Sequence, residues 1–117
     1  MADDDKIKAI RELKSRFDHN NSALKQMESQ RRQNEVTLRR AAFTAAQLDG
    51  LPSDTPCYRG VGRAYFLQPK ESVMTYLETG IKSCDTDLKR LTSSRDALVK
   101  SQEELRKEIT ELISTRS

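Results

Sequence analysis

At 117 residues, with 35% hydrophobic residues, 5% aromatic residues and no tryptophan, the chain is long enough for one domain but poor in material for a layered globular core. Its charged content of 33%, 21 basic and 18 acidic residues for a net charge of +3, is interspersed along both halves, the pattern of solvated helix faces rather than of a concentrated nucleic-acid-binding surface. No apolar run reaches the roughly 18 residues of a membrane span, and the acidic start Asp3-Asp4-Asp5 has no apolar stretch behind it, so neither a membrane protein nor a secreted one is expected.

Asp3, Asp4 and Asp5 precede the first periodic apolar residue and put a capping side chain and negative charge at the positive end of a helix dipole, so a helix is predicted from about residue 5. Ile10, Leu13, Phe17, Leu24, Met27, Leu38 and Ala41 follow at steps of three and four or their sums, the spacing of a coiled-coil seam. Asn20, Arg31 and Asn34 take the remaining seam positions, where polar side chains weaken pairing and penalise other registers. Thr44-Ala45-Ala46-Gln47 has the spacing of a capping box, which predicts a short second helix restarting there and stopping at Gly50, before Leu51-Pro52. The whole N-terminal helical arm is thus expected over about 5–50.

Ser53-Asp54-Thr55-Pro56 reads as a linker. Behind it, Cys57-Tyr58-Arg59-Gly60-Val61-Gly62-Arg63-Ala64-Tyr65-Phe66-Leu67 surrounds two glycines with aromatic and β-branched residues, the composition of two short strands about a tight turn; a β-hairpin is predicted over about 56–68. Pro69 suits the first position of a new helix, with Glu71 in its first turn. That helix, expected over about 69–115, carries Met74, Leu77, Ile81, Cys84, Leu88, Leu91, Leu98, Leu105, Ile109 and Leu112 at strict three-four spacing, with Arg95 and Gln102 as the exceptions. Two helices of roughly 40 residues, about 60 Å each at about 1.5 Å per residue, joined by a hairpin, fold most simply into an antiparallel coiled coil. The expected class is mainly α: an antiparallel two-helix coiled coil with a central β-hairpin, in a single domain of 1–117.

Chemistry of other kinds finds little footing. Cys57 and Cys84 are too few and too far apart for a metal site or a redox pair, and reduced thiols are expected. His19 lies in a helical pattern without a nucleophile beside it, and no catalytic constellation is visible, so an enzyme is not expected and no cofactor is called for. Gly60-Val61-Gly62 lacks the third glycine and the βαβ setting of a dinucleotide fingerprint. Asn20-Asn21-Ser22 matches a glycosylation sequon by letter but sits inside a helical pattern. Arg31-Arg32 and Arg39-Arg40 invite a basic-zipper reading, which Glu28 and Glu35 beside and between them argue against.

Tyr58-Arg59-Gly60-Val61-Gly62-Arg63-Ala64-Tyr65-Phe66-Leu67-Gln68-Pro69-Lys70-Glu71, followed by a leucine-rich heptad helix, resembles prefoldin over nearly the whole chain. One hairpin between two helices is similar to the β-type subunits of that family rather than to the two-hairpin α-type. Pro69 departs from the pattern, standing where a small capping residue is expected. The resemblance implies a cytoplasmic hetero-hexamer of α-type and β-type subunits whose hairpins join into an oligomeric β-barrel. It also implies an ATP-independent molecular chaperone that captures unfolded actin and tubulin and passes them to the group II cytosolic chaperonin, with neither nucleic acid nor membrane as partner. The alternative is a structural coiled-coil tether binding a folded partner along its length.

Two sets of site residues follow. An isolated hairpin is marginal in water and leaves unpaired edges, which makes Tyr58, Val61, Tyr65, Phe66 and Leu67 the expected subunit-assembly residues. At the distal ends of the helices, Ile7, Ile10, Leu13 and Phe17 meet Leu105, Ile109, Leu112 and Ile113, more apolar surface than a two-helix seam buries, and these are the expected client-binding residues. Ile7 and Ile113 fall off the seam.

Overall fold

Asp3, Asp4 and Asp5 fill the first turn of helix α1 (Ala2–Asp49), placing negative charge where the helix leaves its N–H groups unsatisfied. The computed structural model describes residues 2–115, so Met1, Arg116 and Ser117 of the expected span lie outside the described residues. After α1 come strands β1 (Cys57–Val61) and β2 (Ala64–Gln68), then helix α2 (Lys70–Ser114). The class is the expected one: two long helices with one antiparallel hairpin between them.

Helix α1 does not break at Thr44, a correction to the expected restart. Ala41, Ala42, Ala45 and Ala46 are strong helix formers, and Ala45 and Leu48, half-buried, prolong the three-four row of Leu38 and Ala41 past the exposed Thr44. The stop at Gly50 stands, with the Leu51 N–H donating to the Leu48 carbonyl at 3.0 Å. Pro69 lies one residue ahead of α2 rather than inside it, and its carbonyl accepts from the N–H groups of Ser72 (3.0 Å) and Val73 (3.2 Å). Neither helix carries a basic residue in its own last turn. Lysines from the opposite helix serve instead: Lys70 Nζ donates to the carbonyls of Leu51 (2.6 Å) and Asp49 (3.3 Å), and Lys6 Nζ to that of Thr115 (2.8 Å).

The chain divides into two compact units. One is built from the residues up to Arg31 and from Arg90 onward, the other from Arg32–Lys89. In the first, the helices run antiparallel and bury Leu91, Gln102 and Leu105. Gln102 is an expected exception to the apolar seam, and it lies inside it: Nε2 donates to the Phe17 carbonyl (3.1 Å) and to Asn21 Oδ1 (2.9 Å). The other exception, Arg95, is exposed beside Asp96 at 3.4 Å, and Ser94 takes the half-buried position. Arg31 is half-buried with Nε 3.0 Å from Glu28 Oε2, a pair that keeps its charge at the edge of the seam.

In the second unit Leu38, Ala41, Ala45 and Leu48 of α1, and Met74, Leu77, Ile81, Cys84 and Leu88 of α2, are half-buried, and Cys57 is buried at 7% exposure. Among the described residues no large side chain is fully buried in either unit. The apolar stripe is one residue deep, as a two-helix seam must be.

Candidate assembly and client-binding surfaces

The turn comes first, because it fixes the register. Val61 pairs with Ala64, which leaves Gly62 and Arg63 as the loop, and Gly62 has φ of 61°. No non-glycine residue has positive φ among the described residues, so the turn carries its one left-handed residue at the first central position, the type II′ pattern that matches the twist of paired strands. From there Cys57 pairs with Gln68, Tyr58 with Leu67, Arg59 with Phe66 and Gly60 with Tyr65.

Residues directly opposite in an antiparallel pair share a face. Cys57, Arg59, Val61 and Phe66 therefore lie on one side of the hairpin, and Tyr58, Tyr65 and Leu67 on the other. The first side approaches α2 through Arg59, whose guanidinium sits 4.4 Å from the centre of the Tyr76 ring, a cation–π contact; Cys57 on this side is buried, while Val61 and Phe66 are about half exposed. The second side is open, with Tyr58 65%, Tyr65 77% and Leu67 64% exposed. Gly60 belongs to it as well. A Cβ there would lie 3.3 Å from the Tyr65 ring, so the missing side chain is what lets the tyrosine lie across the strand.

All five expected assembly residues are exposed, and alternation places Tyr65 and Phe66 on opposite sides. With two strands in the sheet, each strand also has an outer edge of backbone groups with no other strand beside it among the described residues. Sequence reasoning missed Arg59 and Tyr76, a contact that ties the hairpin to α2; a basic residue facing an aromatic on another element has no signature in spacing.

The expected client-binding residues fall in the other unit. Leu105 is buried; Ile7, Ile10, Leu13, Phe17, Ile109 and Leu112 are half-buried; Ile113 is 55% exposed. Off the seam, Ile113 lies outward as expected, whereas Ile7 is half-buried beside Lys6, whose ammonium is tied to Thr115. Polar groups rim this end: Glu103 accepts from Arg106 at 2.8 Å, and that hydrogen bond, with the charge behind it, holds the carboxyl below its ordinary value of 4.5. Among the described residues no cluster of histidine, cysteine and carboxylate side chains is arranged to hold a metal ion, and no helix is long and apolar enough to cross a membrane.

The family model described as prefoldin subunit matches residues 10–116. Prefoldin subunit 1 of Arabidopsis thaliana is 29% identical over 97% of this chain and 88% of its own length. The probable prefoldin subunit 1 of Caenorhabditis briggsae is also 29% identical, over 99% of both chains. Among solved structures, the prefoldin beta subunit of Thermococcus strain KS-1 superposes with a TM-score of 0.79 at 18% identity, covering 88% of this chain and 90% of that one, and so shares its fold. With a hairpin between two long helices, and a family match reaching from the first seam isoleucine to the end of α2, the chain belongs to the prefoldin subunit family.

Proposed function

We propose that this chain is a β-type subunit of a hetero-hexameric, ATP-independent chaperone, assembled through its hairpin with α-type and other β-type subunits. In this reading the complex captures unfolded actin- and tubulin-type chains at the helix ends and transfers them to the cytosolic group II chaperonin. The observation that carries it is the division of exposed apolar surface between two places with different chemistry. The hairpin presents open strand edges and exposed Tyr58, Tyr65 and Leu67, suited to strand pairing. The helix ends present Ile7, Ile10, Leu13, Phe17, Ile109, Leu112 and Ile113 half-buried or exposed, a surface without strand edges that suits apolar segments of varied sequence.

Removing roughly the first ten and last ten residues tests the reading, since it strips much of the distal apolar surface and spares the hairpin. The truncated chain is expected to join the complex, by native mass, and the complex to suppress aggregation of denatured actin less well, with or without ATP. Equivalent truncations in several subunits should cost more than one, because multivalent capture tolerates loss of a single contact. A fully truncated complex that protects actin undiminished overturns capture at the ends. An intact complex that protects no unfolded client favours the tether.

A further inference from the structure

The back of α1 in the Arg32–Lys89 unit carries a surface that neither seam nor hairpin uses. At about 100° per residue, Arg32, Val36, Arg39, Arg40 and Phe43 fall in one arc of roughly 100°, diametrically opposite the seam residues Leu38, Ala41 and Ala45. Phe43 is 66% exposed and Val36 48%, one heptad apart, and all three arginines are exposed. Ser29 and Gln47 continue the arc, and no acidic residue enters it; Glu28 and Glu35 lie on its flank. Arg39 and Arg40 make no ion pair among the described residues. Arg32, Gln33, Val36 and Thr37 shape a shallow depression of about 480 Å³ on this side.

We infer that this face binds an acidic amphipathic helix of a partner protein: two apolar side chains one heptad apart, flanked by Asp or Glu. The spacing selects a helix, because side chains one heptad apart lie on one face about 10.5 Å apart along the axis at 1.5 Å per residue. That is the separation of Val36 and Phe43 on α1 itself. The charge selects an acidic one, since Arg39 and Arg40, with no carboxylate inside their arc, repel a basic partner and steer an acidic one, whereas Arg32 already has a partner within the chain. Two apolar side chains are too few for the broad apolar face of a membrane-surface helix, and a heptad pair of aliphatic and aromatic groups has no role in phosphate binding.

Fluorescence anisotropy on the full chain tests it, with three labelled probes: an acidic amphipathic peptide of about 18 residues carrying Leu pairs one heptad apart amid Glu, the same peptide with Lys for Glu, and a mixed-sequence oligonucleotide of about 20 bases. Vesicles of phosphatidylserine serve as competitor. The acidic peptide is expected to bind, and Phe43→Ser to weaken it at least tenfold while Phe43→Leu stays within about threefold. Arg39→Glu with Arg40→Glu should weaken the acidic peptide by a similar factor and strengthen the basic one. Circular dichroism verifies that helix content is unchanged in each variant. Equal binding of acidic and basic peptides, no effect of Phe43→Ser, or tighter binding of the oligonucleotide or vesicles than of the acidic peptide would each overturn the assignment.

Discussion

Gln102 shows how one side chain sets a helix pair's alignment. Its Nε2 reaches both the Phe17 carbonyl and Asn21 Oδ1, while its Oε1 is enclosed without a partner. A buried acceptor left unpaired costs about 1–3 kcal/mol, so Gln102→Leu should raise the unfolding free energy by about 1 kcal/mol in urea titration even though two hydrogen bonds go. Asn21, being exposed, regains water. What the leucine variant loses is the preference for one register, visible as disulfide cross-links forming at cysteine pairs one heptad out of alignment; no gain in such cross-links would mean that packing alone sets the register. The position of Gln102 in the seam was legible from spacing, but its partner was not. Periodicity places Asn20 on the seam, whereas the longer reach of glutamine finds the neighbouring Asn21, and Arg95 swings out because its charge is solvated more cheaply beside Asp96. Glu103 supplies a pH test. Its carboxyl is held down by Arg106, so whatever stability the pair contributes is present above the unfolded value and lost as pH falls through the folded one, in the acid range below about 4.5. Carboxyl titration followed by NMR should put Glu103 below 4.5 and return it toward that value in Arg106→Gln.

Two glycines two residues apart make the hairpin legible as an element, yet they act differently. Gly62 needs its positive φ and an added Cβ would meet nothing within 4 Å, so Gly62→Ala carries backbone strain alone, roughly 1–3 kcal/mol, and Gly62→Asn less because asparagine is among the residues that occupy the positive-φ positions of such turns. Gly60 has ordinary φ, and its substitution instead pushes against the Tyr65 ring. Melting of the assembled complex should rank Gly62→Asn above Gly62→Ala, and the reverse order would contradict the type II′ turn. Helix α1 was legible up to Ala41; the capping-box letters at Thr44 then competed with the three-four row through Ala45 and Leu48, and the row prevailed, because a continuing seam buries side chains whereas a restart leaves helix ends unsatisfied. The lysines that close each helix were invisible, since each donates to carbonyls of the other helix far along the chain. Lys70→Met should therefore destabilise the end of α1 by about 0.3–1 kcal/mol, read as faster amide exchange at 48–51 with the rest of α1 unaffected.

At the scale of the molecule, burial is scant: the described residues bury only Cys57, Leu91, Leu105 and Gln102, and the hairpin leaves two tyrosines, a phenylalanine, a valine and a leucine half or more exposed. A buried leucine contributes about 1.5–3 kcal/mol, while ordering each residue costs about 1–2 kcal/mol of backbone entropy, so two helices of 48 and 45 residues hold together on a narrow margin. A prefoldin subunit with its apolar strands uncovered should accordingly draw stability from association. Binding of a partner to the folded chain alone adds RT ln(1 + [partner]/Kd), about 2.7 kcal/mol at a hundredfold excess over Kd. The melting temperature of this chain, followed by circular dichroism, should thus be low and broad in isolation and climb with the concentration of an α-type subunit. Val61→Asp and Phe66→Asp separate the contributions. Both side chains are on the side of the hairpin nearer α2 and about half exposed, so the aspartates leave the isolated chain's helix content close to unchanged, but a charge desolvated at a strand junction should abolish the concentration dependence. A chain that melts cooperatively at a high temperature regardless of partner, or aspartate variants that respond to the partner as the unsubstituted chain does, would show that the hairpin is not where the missing stability comes from.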